Sequence, residues 1–149
     1  MPKNKYHMTT LSLQDFPQQT YDKVRYADTD RQGHVNNAVF STFLETGRTA
    51  FIFHPEHPIL AAGASFVIAS LHLDFIKEIT WPGRVDIGTG VIRIGNSSLT
   101  LLQQLFQHGQ CVARAETVIV QVDDASGRSK PLGEGAKQTL TTWMLHKKA

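Results

Sequence analysis

A chain of 149 residues has the length of one domain rather than two, so residues 1–149 are read as a single domain. A hydrophobic share of 41% against a charged share of 19% fits a soluble globular protein with a real core. The formal net charge of +2, with Lys and Arg spread along the chain apart from Lys147-Lys148, leaves no basic stripe and argues against a nucleic-acid partner.

The N-terminus, Met1 to Asp15, lacks the apolar run of a signal peptide, and no stretch approaches the roughly 20 apolar residues of a membrane span. Residues 1–19 are polar, with Pro17 near their end, and are expected to lie loosely on the surface. A short strand is predicted from Tyr21 to Tyr26, followed by the polar, turn-forming run Ala27-Asp28-Thr29-Asp30-Arg31-Gln32-Gly33.

From Asn36 to Phe53 the period becomes helical. Phe40, Phe43, Leu44, Gly47, Ala50 and Phe51 recur at spacings of three and four and make one apolar stripe. Asn36 or Asn37 can cap this helix, because a short amide accepts from its unpaired first-turn N–H groups. Glu45 and Arg48, three apart, are placed on the outer side as an ion pair. His54, Pro55 and Pro58 end the helix. His54-Pro55-Glu56-His57 has a His-x-x-His spacing, but the prolines break any helical face and no metal is expected.

The rest of the chain to Asp123 reads as strands. Val67, Ala69, Leu71, Leu73 and Phe75 alternate with more polar neighbours, and Trp81-Pro82-Gly83 turns the chain into a strand from Arg84 to Ile94. Gly95-Asn96-Ser97-Ser98 is a hairpin turn into Leu99 to Gln107, and His108-Gly109-Gln110 leads into Val112 to Val122. A short C-terminal helix follows from Glu134 to Leu145. Cys111, the sole cysteine, falls in an alternating apolar segment and is read as a core residue. A lone cysteine forms no internal disulfide, and a reducing cytoplasm is the simplest setting. Strand, long helix and roughly four antiparallel strands make an α+β arrangement; periodicity alone leaves several α+β sandwiches open.

The run Tyr26-Ala27-Asp28-Thr29-Asp30-Arg31-Gln32-Gly33-His34-Val35-Asn36-Asn37 resembles the signature of the 4-hydroxybenzoyl-CoA thioesterase family and related acyl-CoA thioesterases. Phe43, Glu45 and Arg48 resemble its helix pattern, and His72 to Phe75, Pro82-Gly83 and Gly95 with Ser97-Ser98-Leu99 resemble its later strands and turns. The resemblance runs from about Tyr21 to about Leu132. It implies a hotdog fold, an antiparallel sheet wrapped around one long central helix. It also implies hydrolysis of an acyl-CoA to free acid and CoA, with no cofactor. Asp30 would then be the catalytic carboxylate and the backbone N–H of Asn37 the donor that polarises the thioester carbonyl. His34 would act in catalysis or substrate placement. Plant acyl-ACP thioesterases carry an asparagine where this chain has Gln32. The Arg- and Lys-rich run that binds phosphates in some members is replaced by Gly95-Asn96-Ser97, so those contacts do not carry over.

The chemistry of the residues agrees with that assignment. A carboxylate ionised at neutral pH can serve as general base for water or as nucleophile. The unpaired N–H groups and positive dipole end at a helix start stabilise a developing oxyanion, at about 3 kcal/mol per donor. Gly33 would let the backbone approach substrate closely. Phe40, Phe43 and Phe51 serve equally as pocket or plain core, with Phe40 the candidate substrate contact. Ser97 and Ser98 are hairpin residues whose loop could touch the nucleotide or pantetheine. Asp28 is read as structural. The rival readings are a hotdog hydratase or dehydratase and a non-catalytic acyl-thioester binding module. A wrapped sheet leaves an edge strand unpaired, which predicts a homodimer or homotetramer, and the resemblance implies that the site lies at the seam.

Overall fold

The computed structural model describes residues 11–146; Met1 to Thr10 and Lys147 to Ala149 lie outside the described residues. The elements run β1 (Gln18–Lys23), α1 (Asn37–Ile52), β2 (Ala64–Phe75), β3 (Arg84–Ile94), β4 (Ser98–Gln107), β5 (Gln110–Asp123) and α2 (Glu134–Thr142). The five strands form one antiparallel sheet in the order β1-β3-β4-β5-β2. This is the strand–helix–strands order expected from the period changes, with α1 lying on the inner face in the hotdog manner. No helix among the described residues is long and apolar enough to cross a membrane.

Alternation on β3 and β4 explains why α1 lies where it does. Val85, Ile87, Thr89 and Val91 of β3, with Leu99, Leu101, Gln103 and Leu105 of β4, are all buried. Phe40, Phe43 and Leu44 of α1 pack with Ile87 and Leu105, and Phe51 packs with Val91 and Leu101. Gly47 permits the close crossing: a Cβ there would stand 2.6 Å from both Gln103 Nε2 and Ile87 Cγ2. The buried Gln103 amide donates to Leu44 O and Thr89 Oγ1, each at 3.1 Å, and so ties helix to sheet.

Three expectations are corrected. Leu11 and Phe16 are buried with Leu102, Phe106 and Leu145, and Gln18 and Gln19 already belong to β1, so residues 11–19 are not a loose surface segment. Phe16 sits over Gly88, where any Cβ would meet its ring at 2.6 Å. The segment is polar in composition, yet Leu11 and Phe16, with Leu13 partly buried beside them, cover the outer face of β3 and β4. Arg48 is likewise not an outward partner of Glu45; it is buried, with no ion pair among the described residues. At 3.6 residues per turn, position 48 points only about 60° from Phe51, whereas Ala50 points about 100° away. Ala50 is accordingly exposed, so the buried stripe is narrower there than the spacing predicts.

Candidate active site

The loop between β1 and α1 is built by side chains that close its turns. Asp28 is buried, and its carboxylate accepts from the Arg25 backbone N–H at 2.9 Å and from the Arg25 guanidinium at 3.1 Å. Its own carbonyl accepts from Asn36 N–H, fixing the chain where the helix begins. Asp28 is a structural residue. Asp30, two positions on, is exposed. Its Oδ1 accepts from Gln32 N–H at 2.8 Å and His34 N–H at 3.2 Å. These contacts set the carboxyl group's direction and leave Oδ2 without a partner among the described residues. Gly33 has φ +79°, the left-handed conformation this turn needs.

The helix start lies beside this carboxylate. Asn36 is the cap, its side chain accepting from Ala38 N–H at 3.0 Å. Asn37 is the first helical residue, and its N–H has no acceptor among the described residues. Asp30, His34, Asn37 and Phe40 line one open cleft of about 320 Å³, closed on its other side by Phe75, Lys77 and Glu78. Phe40 and Phe75 meet edge to face at 5.0 Å and form its apolar floor.

Glu78, with Phe75 and Lys77, is one of the cleft-lining residues that sequence reasoning missed. Its Oε2 stands 2.9 Å from His34 Nε2, while His34 Nδ1 is enclosed and unpartnered. A neutral imidazole donating through Nε2–H would keep its lone pair on Nδ1. Glu78 lies in the connection after β2, and no spacing in the sequence ties it to position 34. The link is spatial: Val35 N–H donates to Ile79 O at 2.8 Å, and His34 bridges to Thr80.

Other candidates lie elsewhere. Gly33 does not line the cleft. Phe43 and Phe51 are plain core. Ser98 faces Val120, which pairs with Val67, eight residues along β2 from Phe75; at about 3.3 Å per residue this puts Ser97 and Ser98 about 26 Å from the cleft in the same chain. His54 Nδ1 accepts from the N–H groups of Glu56 and His57, so it serves a turn. No group of three His, Cys, Asp or Glu side chains that could hold a metal occurs among the described residues. Cys111 is partly buried beside Gln104 Nε2 at 3.2 Å, and burial pushes its thiol above the usual range.

Residues 24–140 match the model of the Thioesterase-like superfamily. The chain belongs to that family. This membership places it among thioester hydrolases. The PA5185 protein of Pseudomonas aeruginosa strain PAO1 superposes with a TM-score of 0.80 at 23% identity, over 90% of this chain and 96% of that one. A thioesterase from Thermus thermophilus, solved with coenzyme A and Zn, is 28% identical with a TM-score of 0.74, over 84% of this chain and 98% of that one. The acyl-CoA thioester hydrolase YbgC of Escherichia coli O6:H1 is 24% identical over 114 residues, 74% of this chain and 85% of YbgC.

Proposed function

We propose that this chain hydrolyses an acyl-CoA thioester at the Asp30 cleft. One juxtaposition carries the reading: a carboxylate with one oxygen held and one free lines the same cleft as the Asn37 residue, whose helix-terminal N–H is unpaired. The coenzyme A bound by the Thermus thioesterase and the activity named for YbgC support acyl-CoA as substrate.

In the chemistry that follows, the thioester carbonyl oxygen is directed at the Asn37 N–H, where the helix dipole favours the oxyanion. Asp30 Oδ2 takes a proton from water, and the resulting hydroxide attacks the carbonyl carbon. The tetrahedral intermediate then breaks its C–S bond, and the departing thiolate receives the proton that Asp30 had taken. In the nucleophilic variant Oδ2 attacks the carbonyl itself, expels the thiolate and leaves a mixed anhydride that water opens. His34, held by Glu78, positions the thioester at the cleft's rim.

The active unit is a homodimer joined through β2, alone or doubled as a homotetramer. β2 is an edge strand that exposes Val67, Ile68, Leu71 and Phe75. A row of unpaired backbone groups beside exposed apolar side chains is a pairing surface that a second copy covers. Phe75 belongs both to that edge and to the cleft, so the second chain would border the site. A thiol-release screen across short, long and aromatic acyl-CoAs tests the activity. Release from at least one substrate is expected. Saturable acyl-CoA binding with no release from any would make the protein a binding module, and addition of water to an enoyl-CoA would make it a hydratase.

A further inference from the structure

The wall of the Asp30 cleft that carries Lys77 and Glu78 lies outside the strands, in the connection between β2 and β3, yet its register is fixed. Residues 79–81 run antiparallel to residues 33–35. Val35 N–H donates to Ile79 O at 2.8 Å, Trp81 N–H donates to Gly33 O at 3.5 Å, and His34 faces Thr80 between them. At such a facing pair the backbone N–H and C=O of each residue point away from the other segment. Thr80 therefore needs two partners elsewhere, and one side chain supplies both.

Gln107, the last residue of β4, is buried at 4% exposure. Its Oε1 accepts from Thr80 N–H at 3.0 Å and its Nε2 donates to Thr80 O at 2.9 Å, as a neighbouring strand would. On the far side of the same pair, Asp30 holds the backbone of His34. His34 N–H donates to Asp30 Oδ1 at 3.2 Å, and His34 O accepts from Asp30 N–H at 2.8 Å. One row of paired groups thus runs from Gln107 through Thr80 and His34 to Asp30. Glu78 stands two residues before Thr80, and its Oε2 meets His34 Nε2 at 2.9 Å because that row keeps its register.

We propose that Gln107 is a positioning residue for the thioester site. By clamping Thr80 it fixes the 78–81 connection against the Asp30 loop, and so it holds Glu78 on His34. This role rests on the function proposed for the Asp30 cleft. Gln107 does not itself line that cleft, so it acts through Thr80 and His34 rather than on the substrate. Without the amide, the N–H and C=O of Thr80 lose their partners, and the exposed connection exchanges one fixed register for several. β5 separates β4 from the β2 edge, so a second copy paired along β2 leaves this clamp as it is.

Gln107→Met in the full chain tests this, because it keeps the size of the side chain and removes both hydrogen-bonding groups. The first readout needs no substrate: the His34 ring nitrogens in a long-range proton–nitrogen NMR spectrum at alkaline pH, assigned by their loss in His34→Ala. Wild type should show the single Nε2–H tautomer that Glu78 holds, and Gln107→Met should show two tautomers in exchange. In the thiol-release assay kcat/KM should fall about threefold to tenfold, as expected when an orienting group is loosened. Added to His34→Ala, Gln107→Met should cost nothing further. If the Met variant does not melt cooperatively, Gln107→Glu decides the matter: it keeps the acceptor for Thr80 N–H, sets a carboxylate against Thr80 O, and should show the same tautomer exchange. A His34 tautomer unchanged from wild type overturns the proposal, and so do losses that multiply in the double variant. If wild type releases thiol from no acyl-CoA, the function proposed for the cleft fails, while the NMR spectrum still decides whether Gln107 holds His34.

Discussion

The two ends of α1 treat charge in opposite ways. At the N-terminal end Asp30 is exposed, and two backbone N–H groups hold one of its oxygens in place. Towards the C-terminal end Arg48 is buried, and nothing among the described residues holds it. An exposed carboxylate keeps its hydration until substrate arrives, so the structure needs only to aim it. A largely buried guanidinium has lost part of its water, so a counter-charge matters more to it. The first arrangement suits a group that reacts.

The largest effect should come from disarming the first end. Asp30→Asn keeps the shape of the side chain and its acceptor oxygen towards Gln32 and His34, but removes the ionised oxygen. Turnover in the thiol-release assay should fall at least a hundredfold, with the melting temperature within a few degrees of wild type. A folded variant that turns over within threefold of wild type would leave Asp30 as a loop residue and erase the contrast between the two ends.

The next test removes the β2 edge. Ile68→Arg sets like charges against one another in a two-fold seam and should shift the mass seen by light scattering to the 16.6 kDa of one chain. Activity should fall more than tenfold with it, because Phe75 on the same edge borders the Asp30 cleft. A wild-type or variant species of monomer mass with full activity would show that each chain carries a complete site.

Periodicity made much of this legible. The switch from a two-residue to a three-and-four-residue spacing located α1 to within a residue at each end, because the inner face of the sheet buries a continuous stripe. The strands from Arg84 onward were equally readable, since polar hairpin turns bound them. Composition misled where tertiary burial overrode it. Arg48 sits on the buried arc by geometry although its charge argues for the outside, and Leu11 and Phe16 are hidden in a polar segment. On β2 the alternation of Val67, Leu71 and Phe75 was visible, yet alternation does not reveal that an edge strand leaves those residues uncovered. Asp30 stood out through its place in a twelve-residue run, whereas Glu78 reaches His34 only through the folding of a separate connection.

That connection supplies the smallest of the expected effects and the finest division of labour within the N-terminal site. His34→Ala removes the ring at the cleft's rim but leaves the His34 backbone N–H on Asp30 Oδ1, so the carboxylate keeps its direction. Turnover should fall about tenfold, as expected of a group that orients substrate rather than attacks it. Glu78→Gln keeps an acceptor within reach of Nε2 but loses the charge, and Glu78 is itself 66% exposed, so solvent already screens much of that charge. The loss should therefore be about threefold. If Glu78 works only through His34, Glu78→Gln added to His34→Ala should cost nothing further. Independent, multiplying losses would mean instead that Glu78 touches the substrate on its own account, and an unchanged kcat and KM in His34→Ala would return both residues to the scaffold of the loop.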